Sequence, residues 1–255
     1  MNTSNEARFA PELIKMRLDE FRNELEKLRE AKNVKVLAAT KTVPADVINY
    51  AVSTLGIDLI GENRVQELLQ KYDDLVRDPS RPELHIIGTL QTNKVKYIID
   101  KVDMIESVDS EKLAAEIDRQ AKKLDKVMDI LIEVNIGREE NKSGILPEEL
   151  YTLIGRLHDY QNLRLRGLMT IAPVCSDRSD YIRYFSQTRD YFDAIRNGSA
   201  KSEILSCEGS ALPDLSAFDT LSMGMSASWR EAVLCGATEI RLGSTIFGER
   251  PKPVE

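Results

Sequence analysis

Eight short apolar runs, each followed by a stretch with helical periodicity, constrain this chain more than any other feature. The runs cover residues 34–40, 58–61, 84–88, 104–107, 128–135, 165–170, 220–223 and 239–243. Helical patterns follow at residues 45–55, 65–75, 93–99, 110–124, 147–159, 182–196 and 228–235, and a short one follows Ser244. Strands separated by helices pair in parallel through crossovers, because a tight hairpin joins only antiparallel neighbours. A count of eight favours a closed (β/α)8 TIM barrel over an open sheet, and a barrel of roughly 250 residues is of standard size. The chain has 255 residues. An open doubly wound sheet is the competing arrangement, but its G-x-G-x-x-G after the first strand is missing. Ahead of the first strand, Ile14, Leu18, Phe21, Leu25 and Leu28 recur at steps of three and four. That spacing predicts an extra amphipathic helix over residues 11–31. The expected organisation is one domain over 1–255, with the N-terminal helix within 1–31. A Ser-, Gly- and Pro-rich loop or insertion is expected at 197–218.

Composition removes several classes of function. A net charge of −7 argues against a phosphate backbone or an anionic membrane as main partner. The three cysteines, Cys175, Cys207 and Cys235, lie far apart, and only two histidines are present. No zinc-ligand spacing and no cysteine–histidine nucleophile emerges from that set. Sparse cysteines fit a reducing compartment. The polar start Met1-Asn2-Thr3-Ser4-Asn5-Glu6 lacks a signal-peptide core, and no run is long enough to span a membrane. The expectation is a cytoplasmic protein, a monomer, without nucleic-acid or membrane partners.

Strand parity then selects residues. Val34, Val36, Ala38 and Thr40 share one face of the first strand, and Lys35, Leu37, Ala39 and Lys41 share the other. The first face suits packing against outer helices, so the second lines the barrel. In the last strand, Glu239, Arg241 and Gly243 face inward by the same rule. Lys41 and Arg241 therefore converge on one mouth, the end where α/β barrels place their chemistry. A neighbouring cation and burial both favour the neutral amine of a lysine, which is a nucleophile that forms Schiff bases. A solvated rim lysine and a structural ion pair are the competing readings of Lys41 and Arg241.

Two small-residue segments follow the last two strands, Ser222-Met223-Gly224-Met225-Ser226-Ala227-Ser228 and Arg241-Leu242-Gly243-Ser244-Thr245-Ile246-Phe247-Gly248. Loops after strands seven and eight commonly hold phosphate in such barrels, and Ser226 and Ser244 are the residues we select. Turn building is the alternative use of these glycines and serines. A Schiff-base lysine, an inward arginine and a phosphate cradle together point to pyridoxal 5′-phosphate. Schiff-base aldolases acting on sugar phosphates use the same parts.

The segments Ala39-Thr40-Lys41-Thr42, Gly61-Glu62-Asn63-Arg64-Val65-Gln66-Glu67 and His85 to Lys94 carry a resemblance, as do Val134-Asn135, Lys142-Ser143-Gly144, Arg166 to Thr170, Leu221 to Ser226 and Arg241 to Gly248. The chain is similar, nearly end to end, to the YggS/PROSC family of pyridoxal phosphate homeostasis proteins, related in fold to the N-terminal barrel of alanine racemase, a fold-type III barrel. The resemblance implies that Lys41 is the covalent Schiff-base lysine. It implies that Ser226, Gly243 and Ser244 hold the phosphate, that Arg241 faces the pyridine nitrogen, and that Asn63 lies near the cofactor. It also ties Lys142 to cofactor handling, although the sequence around Lys142 says only polar loop. His85 reads as a core histidine, and Gln91, Asn93 and Lys94 as a helix-start cluster. One position departs from the family: Ser228 stands where an Asp is usual, and a serine there can still cap the helix.

An arginine facing the pyridine nitrogen keeps that nitrogen unprotonated and makes the ring a weaker electron sink. A racemase of this fold needs a second acid/base group opposite the lysine, which in alanine racemase comes from a separate C-terminal domain. The expectation is therefore a cofactor carrier with little or no turnover, serving apo-enzymes as recipients. A fold-type III amino-acid racemase and a metabolite sensor are the alternatives.

Overall fold

The computed structural model describes residues 7–76, 81–207 and 209–249. Eight parallel strands close in sequence order into a barrel: β1 (Lys35–Ala39), β2 (Leu59–Glu62), β3 (Glu83–Ile86), β4 (Met104–Val108), β5 (Met128–Val134), β6 (Leu163–Thr170), β7 (Thr220–Met225) and β8 (Glu239–Leu242). The closed barrel is the arrangement expected from eight alternations, and the open sheet is excluded. The helices around it are α1 (Pro11–Leu25), α2 (Ala45–Leu55), α3 (Val65–Lys71), α4 (Glu111–Lys123), α5 (Leu150–Arg156), α6 (Arg178–Arg196), α7 (Lys201–Ser206), α8 (Trp229–Leu234) and α9 (Ser244–Phe247). No helix among the described residues is long and apolar enough to cross a membrane.

Alternation sorts the side chains as parity predicts. Ala38, Ile60, Ile86, Ile105, Ile130, Leu168, Leu221 and Ile240 face outward and join the helices in one continuous core. Leu37, Leu59 and Ile87, and separately Met104, Leu131 and Met169, fill the barrel interior. The interior also holds polar groups, and these build the site. Where β6 meets β7 the backbones approach closely: a Cβ on Gly167 would lie 1.7 Å from the Thr220 carbonyl oxygen. Only glycine fits there.

Several boundaries move for local reasons. The N-terminal helix stops at Leu25, and residues Arg29–Ala31 form a separate 3-10 turn. The pattern at 93–99 is a 3-10 helix, Thr92–Tyr97, with no side-chain cap from Gln91. Helix α6 starts four residues before the expected 182, because the Asp177 carboxylate accepts the Ser179 N–H and caps it. The segment 197–218, expected as loop, contains α7. Phe21 of α1 meets Trp229 of α8 edge-on, ring centroids 5.0 Å apart, which docks the N-terminal helix beside the end of β7.

Candidate functional site

A cavity of about 560 Å³ opens at the C-terminal mouth of the barrel. Lys41, Asn63, Ser226, Arg241, Gly243 and Ser244 all line it. Apolar wall comes from Ala39, Ile87, Ile171 and Met225, and Arg8 and Glu249 stand among the remaining lining residues. Six of the seven residues selected from sequence thus meet on one surface. Lys142 does not: it lies exposed in the loop after β5, outside the lining. Its neighbour Ser143 instead donates to the buried Glu133 carboxylate at 2.7 Å.

The chain bends sharply at Lys41. The next residue, Thr42, has φ +64, a left-handed conformation that a β-branched residue adopts only under constraint. The constraint comes from the segment after β2. Glu67 of α3 accepts the Thr42 N–H. Lys71, one turn further, donates to the Thr40 carbonyl at 2.9 Å and the Val43 carbonyl at 3.2 Å. The Lys71 ammonium is neutralised by the buried Glu62, which also accepts from the Thr40 hydroxyl at 2.7 Å and the Asn63 N–H at 3.2 Å. Burial pushes the Glu62 carboxyl up, against the pull of Lys71 and Thr40. Arg8 adds bonds of 3.3 Å to the Thr42 carbonyl and hydroxyl. The bend that presents Lys41 is therefore gripped from three sides.

Ser226 forms the opposite wall. Its hydroxyl oxygen accepts from the Gly243 and Thr245 N–H groups, both at 3.2 Å, and so joins the loops after β7 and β8. A Cβ on Gly243 would meet only Ala39, at 3.8 Å. Protein packing does not demand glycine there; the missing side chain leaves room in the cavity. Ser228 stands at the start of α8 but does not cap it, because its hydroxyl accepts the Met225 N–H at 3.3 Å. The expected cap is thus a turn-closing bond.

Arg241 forms the floor above a buried polar ladder. Its guanidinium donates to Ser222 Oγ at 2.7 Å and to the Thr170 carbonyl at 2.8 Å. Ser222 Oγ lies 2.6 Å from Glu106 and 2.9 Å from Glu239. Glu106 bonds His85 Nδ1 at 2.7 Å, and His85 Nε2 reaches Glu83 at 3.2 Å near the N-terminal mouth. Burial lowers the His85 pKa, but the bonds to Glu106 and Glu83 outweigh it and raise the imidazole to about 10. The His85 bond holds Glu83 down at about 2. Burial raises the Glu106 carboxyl too, but His85 and Arg241 leave it below its ordinary value. Glu239, burdened by burial and by the adjacent Glu106, is raised. His85, Glu106 and Glu239 could offer three ligand atoms within 4.8 Å of one another. With Arg241 4.0 Å from Glu106, the set is built to share protons and not to hold a further cation.

Strand parity points Lys41, Arg241 and Glu239 inward and His85 reads as a core histidine, but nothing in the sequence pairs Glu239 with Glu106 through Ser222. A signal of a polar interior was present, since charged residues at inward positions of β4 and β8 contradict an apolar barrel filling. Arg8 carried no signal, as it lies ahead of the barrel in the chain.

Comparison with known proteins places this geometry in a family. The model of the alanine racemase N-terminal domain matches residues 16–251. The pyridoxal phosphate homeostasis protein of Aquifex aeolicus is 43% identical over 216 residues, 85% of this chain and 87% of that one. The protein of the same name from Schizosaccharomyces pombe is 31% identical over 237 residues, 92% of each. PipY of Synechococcus elongatus, solved with PLP bound, superposes with a TM-score of 0.75 at 31% identity, over 92% of this chain and 100% of that one. An alanine racemase of Clostridium difficile shares the fold at 17% identity and a TM-score of 0.67, over 94% of this chain and 57% of its own. The chain therefore belongs to the alanine racemase N-terminal domain family, among the pyridoxal phosphate homeostasis proteins.

Proposed function

We propose that this protein binds pyridoxal 5′-phosphate in the barrel mouth as a Schiff base on Lys41 and takes part in intracellular homeostasis of that cofactor. The observation that carries the reading is the convergence of one amine, one guanidinium and two serine hydroxyls on a single cavity with apolar walls. The residues fit the group. Lys41 supplies the amine that condenses with the aldehyde. Ser226 and Ser244 supply hydroxyls for the phosphate, and the bare Gly243 leaves space for it. Arg241 supplies a cation for the ring nitrogen, and Ala39, Ile87, Ile171 and Met225 suit a flat aromatic face. Bound there, the cofactor presents an aldehyde that a lysine stores reversibly. Asn63 lies on the rim beside it. Lys142 stands outside the lining, so the cavity gives no support to a part for it in holding the cofactor.

In this reading the protein works in the cytoplasm as a monomer and hands the cofactor to apo-enzymes. Among the described residues, the titratable groups lining the cavity apart from Lys41 are Arg8, Arg241 and Glu249, with no tyrosine, histidine or cysteine. That lining supports a carrier over the racemase alternative, which needs a second acid/base group opposite the lysine. The test is an absorbance spectrum before and after borohydride, for the wild type and for Lys41→Ala. A visible band that borohydride abolishes, absent in Lys41→Ala, is expected. No band after addition of the cofactor would overturn the assignment. Sustained α-proton exchange of amino acids in deuterated water at enzymatic rates would favour the racemase.

A further inference from the structure

The hydroxyl of Ser222 has too few protons for the bonds around it. It accepts from Arg241 at 2.7 Å and stands within bonding distance of two carboxyl groups, Glu106 at 2.6 Å and Glu239 at 2.9 Å. A serine hydroxyl donates once and accepts twice. Arg241 takes one acceptor site, so the single O–H serves one carboxylate, and the other carboxyl must itself donate. Glu106 is the ionised member, because His85 Nδ1 donates to it at 2.7 Å and Arg241 lies 4.0 Å away. The proton therefore sits on Glu239, whose oxygen donates to Ser222. Two carboxyl groups in one buried site cannot both ionise at low cost, which leads to the same assignment. All four side chains, with His85, are buried, and Arg241 alone among them also lines the cavity.

We propose that Glu106, Ser222 and Glu239 form a one-proton carboxyl pair that positions Arg241 beneath the cofactor, and that loss of that proton draws the guanidinium down and weakens cofactor binding. The proposal rests on the cofactor reading above. The charged and titratable groups around the pair are His85 from β3, Glu106 from β4, Glu133 from β5, and Glu239 and Arg241 from β8. Asp109 lies beyond the end of β4, and Glu83 and Lys35 pair at the N-terminal mouth. With Arg241 and His85 cationic and Glu106 anionic, a second buried anion on Glu239 would compete with the cofactor for Arg241. Glu106 and Glu239 are thus positioning residues with unequal roles.

The test compares two isosteric variants across pH. Cofactor affinity, read from the borohydride-sensitive band, is expected to fall in the wild type as Glu239 ionises at alkaline pH. Glu239→Gln carries a permanent donor in place of the proton, so that component of the fall disappears. Glu106→Gln removes the anion that balances Arg241 and lowers affinity by about tenfold or more at every pH, as expected for a lost charged hydrogen bond. Should Glu106→Gln fail to fold, Ser222→Ala, which cuts the bridge alone, is expected to lower affinity likewise. A wild-type pH profile retained in Glu239→Gln would overturn the proposal, as would unchanged affinity in both Glu106→Gln and Ser222→Ala. The pair is also read without cofactor: the His85 ring resonances of the unloaded protein should titrate at lower pH in Glu106→Gln. A wild type that never develops the band would overturn the cofactor reading instead, while the His85 titration still reports on the pair.

Discussion

Lys71 donates to the Thr40 carbonyl at 2.9 Å, so the peptide just before Lys41 is held by an ammonium from the next helix but one in sequence. The same ammonium pairs with Glu62, and both side chains are buried. A buried pair is a weak source of net stability, yet removing one partner leaves the other charge uncompensated. Lys71→Met should therefore destabilise the protein by about 3 kcal/mol. Denaturant unfolding measures this, and the variant should also load cofactor more slowly because the Lys41 bend loses two of its anchors. A stability within about 0.5 kcal/mol of wild type, the ordinary spread of surface substitutions, would show that Glu62 simply takes up a proton.

The architecture was legible because period-2 and period-3.6 patterns alternate without interruption, and because alternation along β1 and β8 assigns Lys41 and Arg241 to one mouth. The small-residue loops after strands seven and eight point to Ser226 and Ser244, and the resemblance adds Asn63 and Gly243. What stayed hidden was long-range. Glu62, Glu67 and Lys71 read as ordinary polar residues of one strand and helix, and nothing local tells that they close around a bend 22 to 31 residues earlier. Ser222 to Glu106 spans 116 residues, a pairing only closure of the barrel creates. The 3-10 helix at Thr92–Tyr97 and the early start of α6 are boundary effects, set by caps and tertiary packing more than by propensity.

Gly88 sits in the turn after β3 against the backbone of Asn63. A Cβ there would meet the Asn63 carbonyl oxygen at 2.4 Å and its Cα at 2.9 Å. Backbone cannot yield as a flexible side chain does, so Gly88→Ala should cost about 1–3 kcal/mol, as overpacking typically does. It should also shift Asn63 along the cavity rim. Thermal unfolding reads the first effect, and cofactor titration reads the second. Unaltered affinity with lowered stability would remove Asn63 from the binding surface.

His85 makes alkaline stability testable. Its folded-state pKa is raised from 6.5 to about 10. Such a group contributes stability that is fully present below 6.5 and is lost as pH rises through about 10. Glu239, also raised, acts with the same sign. The thermal midpoint should thus fall between pH 7 and pH 10, and His85→Asn should sit below wild type at pH 7 with a gap that narrows toward pH 10. Glu83 runs the opposite way: held at about 2, it contributes stability above 4.5 that is lost as pH falls through about 2. Parallel curves for wild type and His85→Asn would mean that the imidazole is neutral in the barrel.

Ser226 joins two loops through one oxygen, which separates its structural and binding roles. Ser226→Ala leaves the Gly243 and Thr245 N–H groups without their acceptor. Gly243 lines the cavity and Thr245 is half-buried, so water can replace the lost partner and the stability cost should be near 1 kcal/mol. Cofactor affinity should fall further, by about tenfold, because a phosphate at this wall would lose a hydroxyl donor and meet a loop pair that is no longer tied. Ser226→Thr keeps the oxygen and should recover most of the affinity. Equilibrium titration of the borohydride-sensitive band measures all three proteins. Equal affinity in Ser226→Ala and wild type would assign this serine to loop closure alone and leave Ser244 as the hydroxyl facing the phosphate.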